Sequence, residues 1–145
     1  KTYLDGEDVS GLIRTPEISA LASPSSASPL IRQKLVELQR QMGSRKSVIM
    51  DGRDIGTNVF TDAEYKFYLT ASADERARRR TLELKNKGEN ADFETVKSEI
   101  EKRDYQDMTR PLNPLKKADD AIEIDSSDMS INEVVDFMLG KIKTI

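Results

Sequence analysis

Three short apolar runs punctuate this chain: Ser47-Val48-Ile49-Met50, Lys66-Phe67-Tyr68-Leu69-Thr70 and Ala121-Ile122-Glu123-Ile124-Asp125. Between and around them lie stretches whose apolar residues recur at helical spacing. Buried strands that alternate with amphipathic helices specify an α/β fold with a parallel sheet, because each crossover returns the chain to the same sheet edge. From Leu30 to Met42 the apolar positions 31, 35, 38 and 42 keep a helical period, and Gly43 is expected to stop that helix. Ser72-Ala73-Asp74-Glu75 reads as a capping box that opens an Arg-rich helix running to about Asn86, closed by Lys87-Gly88-Glu89-Asn90. Phe93, Val96 and Ile100 predict a helix over 92–107, ended by Pro111 and Pro114. A Ser130-x-x-Glu133 box starts the last helix, whose Ile131, Val134, Val135, Met138 and Leu139 are expected to be buried.

The first 43 residues lack this rhythm. Asp5-Gly6-Glu7-Asp8 is a turn between short extended pieces. Thr15-Pro16-Glu17 carries the hydroxyl, proline and acid of a helix start, and the Ser/Pro-rich residues 22–29 form a turn-rich loop. Residues 1–43 are therefore expected to form a lobe apart from a core of residues 44–145. The chain opens on Lys1-Thr2-Tyr3 without an initiator Met, as expected of a piece of a longer protein.

Composition narrows the chemistry. The 145 residues hold no Cys and no His, which removes disulfides, thiolate zinc sites, cysteine nucleophiles and imidazole bases. Any chemistry runs on carboxylates, guanidiniums, ammoniums, hydroxyls and backbone. With 23 basic and 26 acidic residues the net charge is −3, which argues against a broad nucleic-acid footprint. No apolar run approaches the ~18 residues of a membrane span, and no secretory signal opens the chain. A cytoplasmic protein is the expectation.

The most informative stretch is Asp51-Gly52-Arg53-Asp54-Ile55-Gly56-Thr57, which follows an apolar run directly. A strand feeding a Gly-containing polar loop puts that loop at the carboxyl edge of the sheet, where α/β proteins bind ligands. Asp51 is suited to a magnesium hydration shell, Arg53 offers a planar fork for phosphate, and Asp54 offers acceptors for an amino group or hydroxyl. The same residues also suit a tight turn whose Arg53 and Asp54 pair with neighbours. Arg76, Arg79 and Arg80 share one helical face, with Glu75 and Glu83 near enough to offset them partly. Arg103, Asp107 and Arg110 fall on one stripe at i, i+4 and i+7, either a phosphate clamp or a self-neutralising ladder. Three arginine clusters without His or Cys point to phosphoryl transfer, which is achieved by positioning and charge neutralisation.

Five segments, taken together and in order, resemble the bacterial cytidylate kinase (CMP kinase) family: Gly6–Thr15, Asp51–Thr57, Ala71–Arg80, Arg103-Asp104…Asp107…Arg110 and Asp120–Ser126. The resemblance covers essentially the whole chain. It implies transfer of the ATP γ-phosphate, with Mg²⁺, to CMP or dCMP, giving the diphosphate and ADP. It implies a P-loop nucleoside monophosphate kinase fold of sheet order 2-3-1-4-5, of which this chain holds strands 3, 4 and 5. Residues 1–43 become most of a monophosphate-binding insert, and about 76–110 a helical lid. Ser23, Arg32 and Asp54 match residues that read the cytosine ring. Uracil presents a carbonyl where cytosine has its amine, so an acceptor such as Asp54 discriminates against it. Arg53 and Arg110 match arginines on the acceptor phosphate, and Arg103 and Asp107 match residues near the sugar and phosphates. Arg76, Arg79 and Arg80 fall at the start of the lid over ATP. Asp51, Arg53, Arg103 and Arg110 are the expected catalytic set, with Asp51 reaching the metal through water and no direct protein ligand. The expected partners are CMP or dCMP and ATP, with no nucleic acid or membrane, and the parent protein is expected to be a monomer.

The chain departs from the family in one respect. No G-x-x-x-x-G-K-[ST] occurs, and the seven glycines are too scattered to build one. The polypeptide by itself is therefore expected not to transfer phosphate. Strands 48–51 and 66–70 would also face a slot one strand wide, ~10 Å between them. That slot is expected to close by rearrangement, or to be filled by another chain or by protein since removed. A kinase preferring UMP or AMP is a neighbouring reading. A polyanion-binding module is a different one, marked by salt-sensitive binding to RNA or heparin that Asp54→Ala leaves unaffected.

Overall fold

Strand β3 (Phe67–Thr70) lies parallel to β4 (Ile122–Asp125) in the register Phe67↔Ile122 to Thr70↔Asp125. This pair is the parallel sheet of the computed structural model, which describes residues 1–13, 15, 18, 21, 25, 28–45 and 47–142. An antiparallel pair, β1 (Tyr3–Leu4) and β2 (Glu7–Asp8), precedes it, and among the described residues the long helices are α1 (Pro29–Arg45), α2 (Ala73–Asn86), α3 (Phe93–Thr109) and α4 (Ile131–Lys141). The chain divides into two compact units, Lys1–Ile49 and Met50–Ile145.

In the first unit, β1 and β2 are joined by Asp5 and Gly6, both at positive φ (50° and 88°). That is the backbone a two-residue primed turn requires, which explains the Asp-Gly pair. The helix predicted from Thr15 lies largely outside the described residues, as does most of the 22–29 loop. Thr15 Oγ1 does accept the Ile18 N–H at 3.3 Å. Helix α1 continues two residues past Gly43, contrary to expectation. A glycine stops a helix when it takes positive φ, and Gly43 is not at positive φ.

Residues 47–50 form no strand, a second correction. No described residue pairs with them and Ile49 is fully exposed, so the apolar run lacks the ladder that would make it a strand.

In the second unit, β3 passes to α2 through a laced rim. Ser126 N–H and Oγ–H both donate to Thr70 O, and Ser72 N–H donates to Ser127 Oγ at 2.9 Å. Ser72 caps α2 by accepting the Glu75 N–H. The reciprocal half of the expected box is absent, because Ser127 already takes the Ser72 N–H and Glu75 turns to Arg78 and Arg79. Helix α2 ends in a Schellman arrangement: Gly88 N–H reaches Lys85 O and Glu89 N–H reaches Leu84 O, with Gly88 at φ 80°. The chain then doubles back, and α3 starts from Asp92, whose carboxylate accepts the Thr95 N–H and hydroxyl. Ala77, Ala91 and Val96 form the core between these two helices, flanked by Leu84, Phe93 and Ile100. Arg76 to Asp104 (2.6 Å) and Lys97 to Asp74 (3.0 Å) tie the pair from outside.

Helix α4 begins with both halves of its Ser130–Glu133 capping box. Its expected burial is not found: Ile131 is 83 % exposed, Val135 and Leu139 are also exposed, and no residue of the helix is buried. The periodicity is that of an apolar stripe, but no other described element covers it.

Candidate functional site

Between residues 47–50 and β3, the chain makes a π-helical turn, Ile55–Val59, in which Asp54 O accepts the N–H of both Asn58 (2.9 Å) and Val59 (3.3 Å). Gly52 enters this turn because a Cβ there would stand 2.9 Å from Ile55 Cγ1. Wide turns of this kind gather at functional positions, where they re-aim a side chain. Here the turn carries Asp54 inward, 4 % exposed, and leaves Asp51 exposed.

Two carboxylates organise the arginines. Asp107, buried near the end of α3, accepts from Arg53 Nε at 3.0 Å, while Arg103 Nε lies 4.0 Å from the same oxygen. Arg110 Nη2 lies 3.6 Å from Asp54 Oδ1, and its Nε donates to Asn113 O at 2.7 Å. Asn58 Nδ2 donates to Asp54 Oδ2 at 3.1 Å. Arg53, Asp54, Arg103, Asp107 and Arg110 are thus brought together, half an ion-pair network and half an open basic face: the Arg53 and Arg103 side chains remain 44 % and 65 % exposed. The stripe expected of Arg103, Asp107 and Arg110 is corrected in one member. Helix α3 ends at Thr109, and Arg110 takes an extended ψ of 140° that turns it to Asp54. The cause is Pro111, whose ring disfavours helical geometry in the residue before it.

Arg76, Arg79 and Arg80 of α2, expected on one shared face, do not converge. Arg76 donates to Ala71 O and Asp104. Arg79 donates to Ser126 O at 2.6 Å and to Glu75, pinning the turn after β4. Arg80 pairs with Glu83 on the outer face of α2. Lys87 and Arg80 together hold the Glu83 carboxyl down at about 2, the Lys87 hydrogen bond acting most strongly. Arg32 lies on α1 in the first unit. Ser23 lies outside the described residues.

Sequence reasoning missed Asn58 and Asn113. The first is four residues from Asp54, a spacing that signals contact once a helical turn is assumed. The second precedes Pro114, and its positive φ of 50° is the turn an Asn-Pro pair announces. Also unforeseen is a concavity of about 400 Å³ beside the amino ends of β3 and β4. Its Lys66, almost fully buried, already donates to Thr61 O and Asp120, and this hydrogen bond lowers the Asp120 pKa.

Among the described residues no three carboxylates gather as a metal cluster. The exposed Asp51 carboxylate is of the kind that could hold a hydrated divalent cation through water. In the described residues no helix is long and apolar enough to cross a membrane.

The second unit is a mixed α/β fold that presents Arg53, Arg103 and Arg110 from separate segments beside two buried carboxylates. The family model for cytidylate kinase matches residues 1–144. A cytidylate kinase of Lactobacillus johnsonii is 53% identical over 135 residues, 93% of this chain and 59% of the relative. One from Caldicellulosiruptor bescii is 53% identical over 137 residues (94% and 61%), and one from a Geobacter species 52% over 143 (99% and 61%). The chain belongs to the cytidylate kinase family. It spans about three-fifths of the length of these curated relatives.

Proposed function

We propose that the protein containing this chain is a nucleoside monophosphate kinase that transfers the γ-phosphate of ATP to CMP or dCMP, and that it works in the cytoplasm as a monomer. The observation that carries this reading is the meeting of Arg53, Arg103 and Arg110 around Asp54 and Asp107. Arginines held by carboxylates yet partly open are oriented for phosphate without having collapsed onto one another. In this reading Arg53 and Arg110 bind the acceptor phosphate, Arg103 and Asp107 hold the sugar and phosphates, and Asp54, with Ser23 and Arg32, reads the base. Arg76, Arg79 and Arg80 stand at the root of a lid spanning about 76–110 that excludes water. Residues 1–43 form part of the monophosphate-binding insert, and residues 44–145 part of a core of sheet order 2-3-1-4-5. Asp51 would hold Mg²⁺ through water; the ion, bound with ATP, neutralises charge across the β- and γ-phosphates.

The stretch of 145 residues has no phosphate-cradling glycine loop, and we propose that it does not turn over alone. Initial rates of the full-length protein with CMP, dCMP, UMP and AMP test the reading. A marked preference for the two cytidylates is expected, and comparable rates with all four would reject the base assignment.

A further inference from the structure

We propose that Arg76 and Asp104 form a positioning pair that holds α3 against the end of β3 and so keeps Arg103 and Asp107 in place for the acceptor phosphate; this rests on the reading of that site given above. One edge of the Arg76 guanidinium spans two elements. Its Nε donates to Ala71 O at 3.0 Å, just past β3, and its Nη2 donates to Asp104 Oδ2 on α3 at 2.6 Å. The planar fork fixes the angle between those two bonds, so Asp104 is located relative to the sheet edge and not merely attracted to a charge. That edge is itself fixed, because Thr70 O, one residue earlier, accepts both the N–H and the hydroxyl of Ser126. On α3, Asp104 directly follows Arg103 and precedes Asp107 by three residues, so the two carboxylates sit on neighbouring turns of one helix face. Asp107 in turn accepts from Arg53 Nε at 3.0 Å, with Arg103 Nε 4.0 Å away. A displacement of α3 at Asp104 is therefore carried to Asp107 and to both guanidiniums. The same two helices have a second tie, Lys97 to Asp74 at 3.0 Å, which lies two turns earlier on α3 and bypasses the site.

A pair needed only for stability would lower the unfolding midpoint and leave substrate binding alone. A pair that places Arg103 and Asp107 changes the KM of the substrate they meet. In the full-length protein, Arg76→Met removes both donors and keeps the stem, Asp104→Leu removes the acceptor, and Asp104→Asn keeps a neutral one. Lys97→Met cuts the tie that bypasses the site. KM for CMP, KM for ATP, kcat and urea midpoints are measured for each, for Arg76→Met/Asp104→Leu together, and for Arg103→Ala. KM for CMP should rise about three- to fivefold in Arg76→Met and in Asp104→Leu, the scale of a partly exposed ion pair. It should rise no further in the double variant, because both changes break one link. KM for ATP should hold in all three, and Asp104→Asn should recover part of the loss. Lys97→Met should lower the urea midpoint with KM for CMP unchanged. A rise in KM for ATP in Arg76→Met that Asp104→Leu does not share would make Arg76 a nucleotide ligand and overturn the proposal. An equal rise in KM for CMP in Lys97→Met overturns it too. Unchanged KM for CMP in Asp104→Leu, with Arg103→Ala raising it, overturns the positioning role alone. Unchanged KM for CMP in Arg103→Ala overturns the reading beneath it as well. Should Asp104→Leu fail to fold, Asp104→Ala carries the test.

Discussion

Arg53 Nε donates to Asp107 Oδ2 at 3.0 Å, joining the turn-forming loop to the last turn of α3. One carboxylate thus aims two arginines, since Arg103 approaches the same oxygen. Asp107→Ala in the full-length protein should raise KM for the monophosphate roughly tenfold by freeing both guanidiniums. Because Arg53 is 44% exposed, the pair contributes only about 0.5–1 kcal/mol to folding. Steady-state kinetics beside urea denaturation separate the two effects. A stability loss without a KM change would make the pair structural.

Arg110→Ala should lower kcat by about 10²-fold, the scale of losing one electrostatic contact to a transferring group. Its guanidinium also faces the buried Asp54, so some destabilisation accompanies the loss. Single-turnover rates read the chemical step. Unchanged turnover would remove Arg110 from the site.

Glu83 gives a pH signature. Its carboxyl titrates at about 2 in the folded chain, against 4.5 in the absence of its partners. A depressed carboxyl stabilises the folded form fully above pH 4.5 and loses that contribution as pH falls toward 2. Carboxyl-carbon NMR should place the Glu83 midpoint well below 4. Lys87→Ala should raise it more than Arg80→Ala, since the Lys87 hydrogen bond is the larger cause.

The α2–α3 core has no slack at Ala77, which is 0% exposed against Ala91 and Val96. Ala77→Leu should destabilise the full-length protein by about 1–3 kcal/mol through overpacking. Leu82→Ala, on the exposed face of the same helix, should stay within about 0.5 kcal/mol. Urea midpoints for both variants give the comparison.

What the residues disclosed in advance is what short-range chemistry decides. Ser130 and Glu133 meet as their spacing predicts, and Phe93, Val96 and Ile100 turn to the core they imply. What stayed hidden depends on partners distant in the chain. Val48 and Ile49 have the composition of a strand, but a strand exists only where another backbone meets it. Ile131 and Leu139 mark a face that pattern predicts as buried, although burial requires a second surface. The i, i+4, i+7 stripe reaches Arg110 only if helical spacing runs through it, and Pro111 carries the signal against that. In the site, Arg53, Arg103 and Arg110 meet around two carboxylates, whereas Arg76, Arg79 and Arg80, which spacing puts on one face, go to separate partners. The amide of Asn58 was not foreseen, because nothing in hydrophobic periodicity foretells a π-helical turn.

The lacing of Thr70, Ser72, Arg79, Ser126 and Ser127 has an evolutionary corollary. One residue added to either parallel strand would slide its exit by about 3.3 Å and break all these bonds together. Insertions and deletions should therefore be purged between the strands and their serines, leaving this seam constant in length.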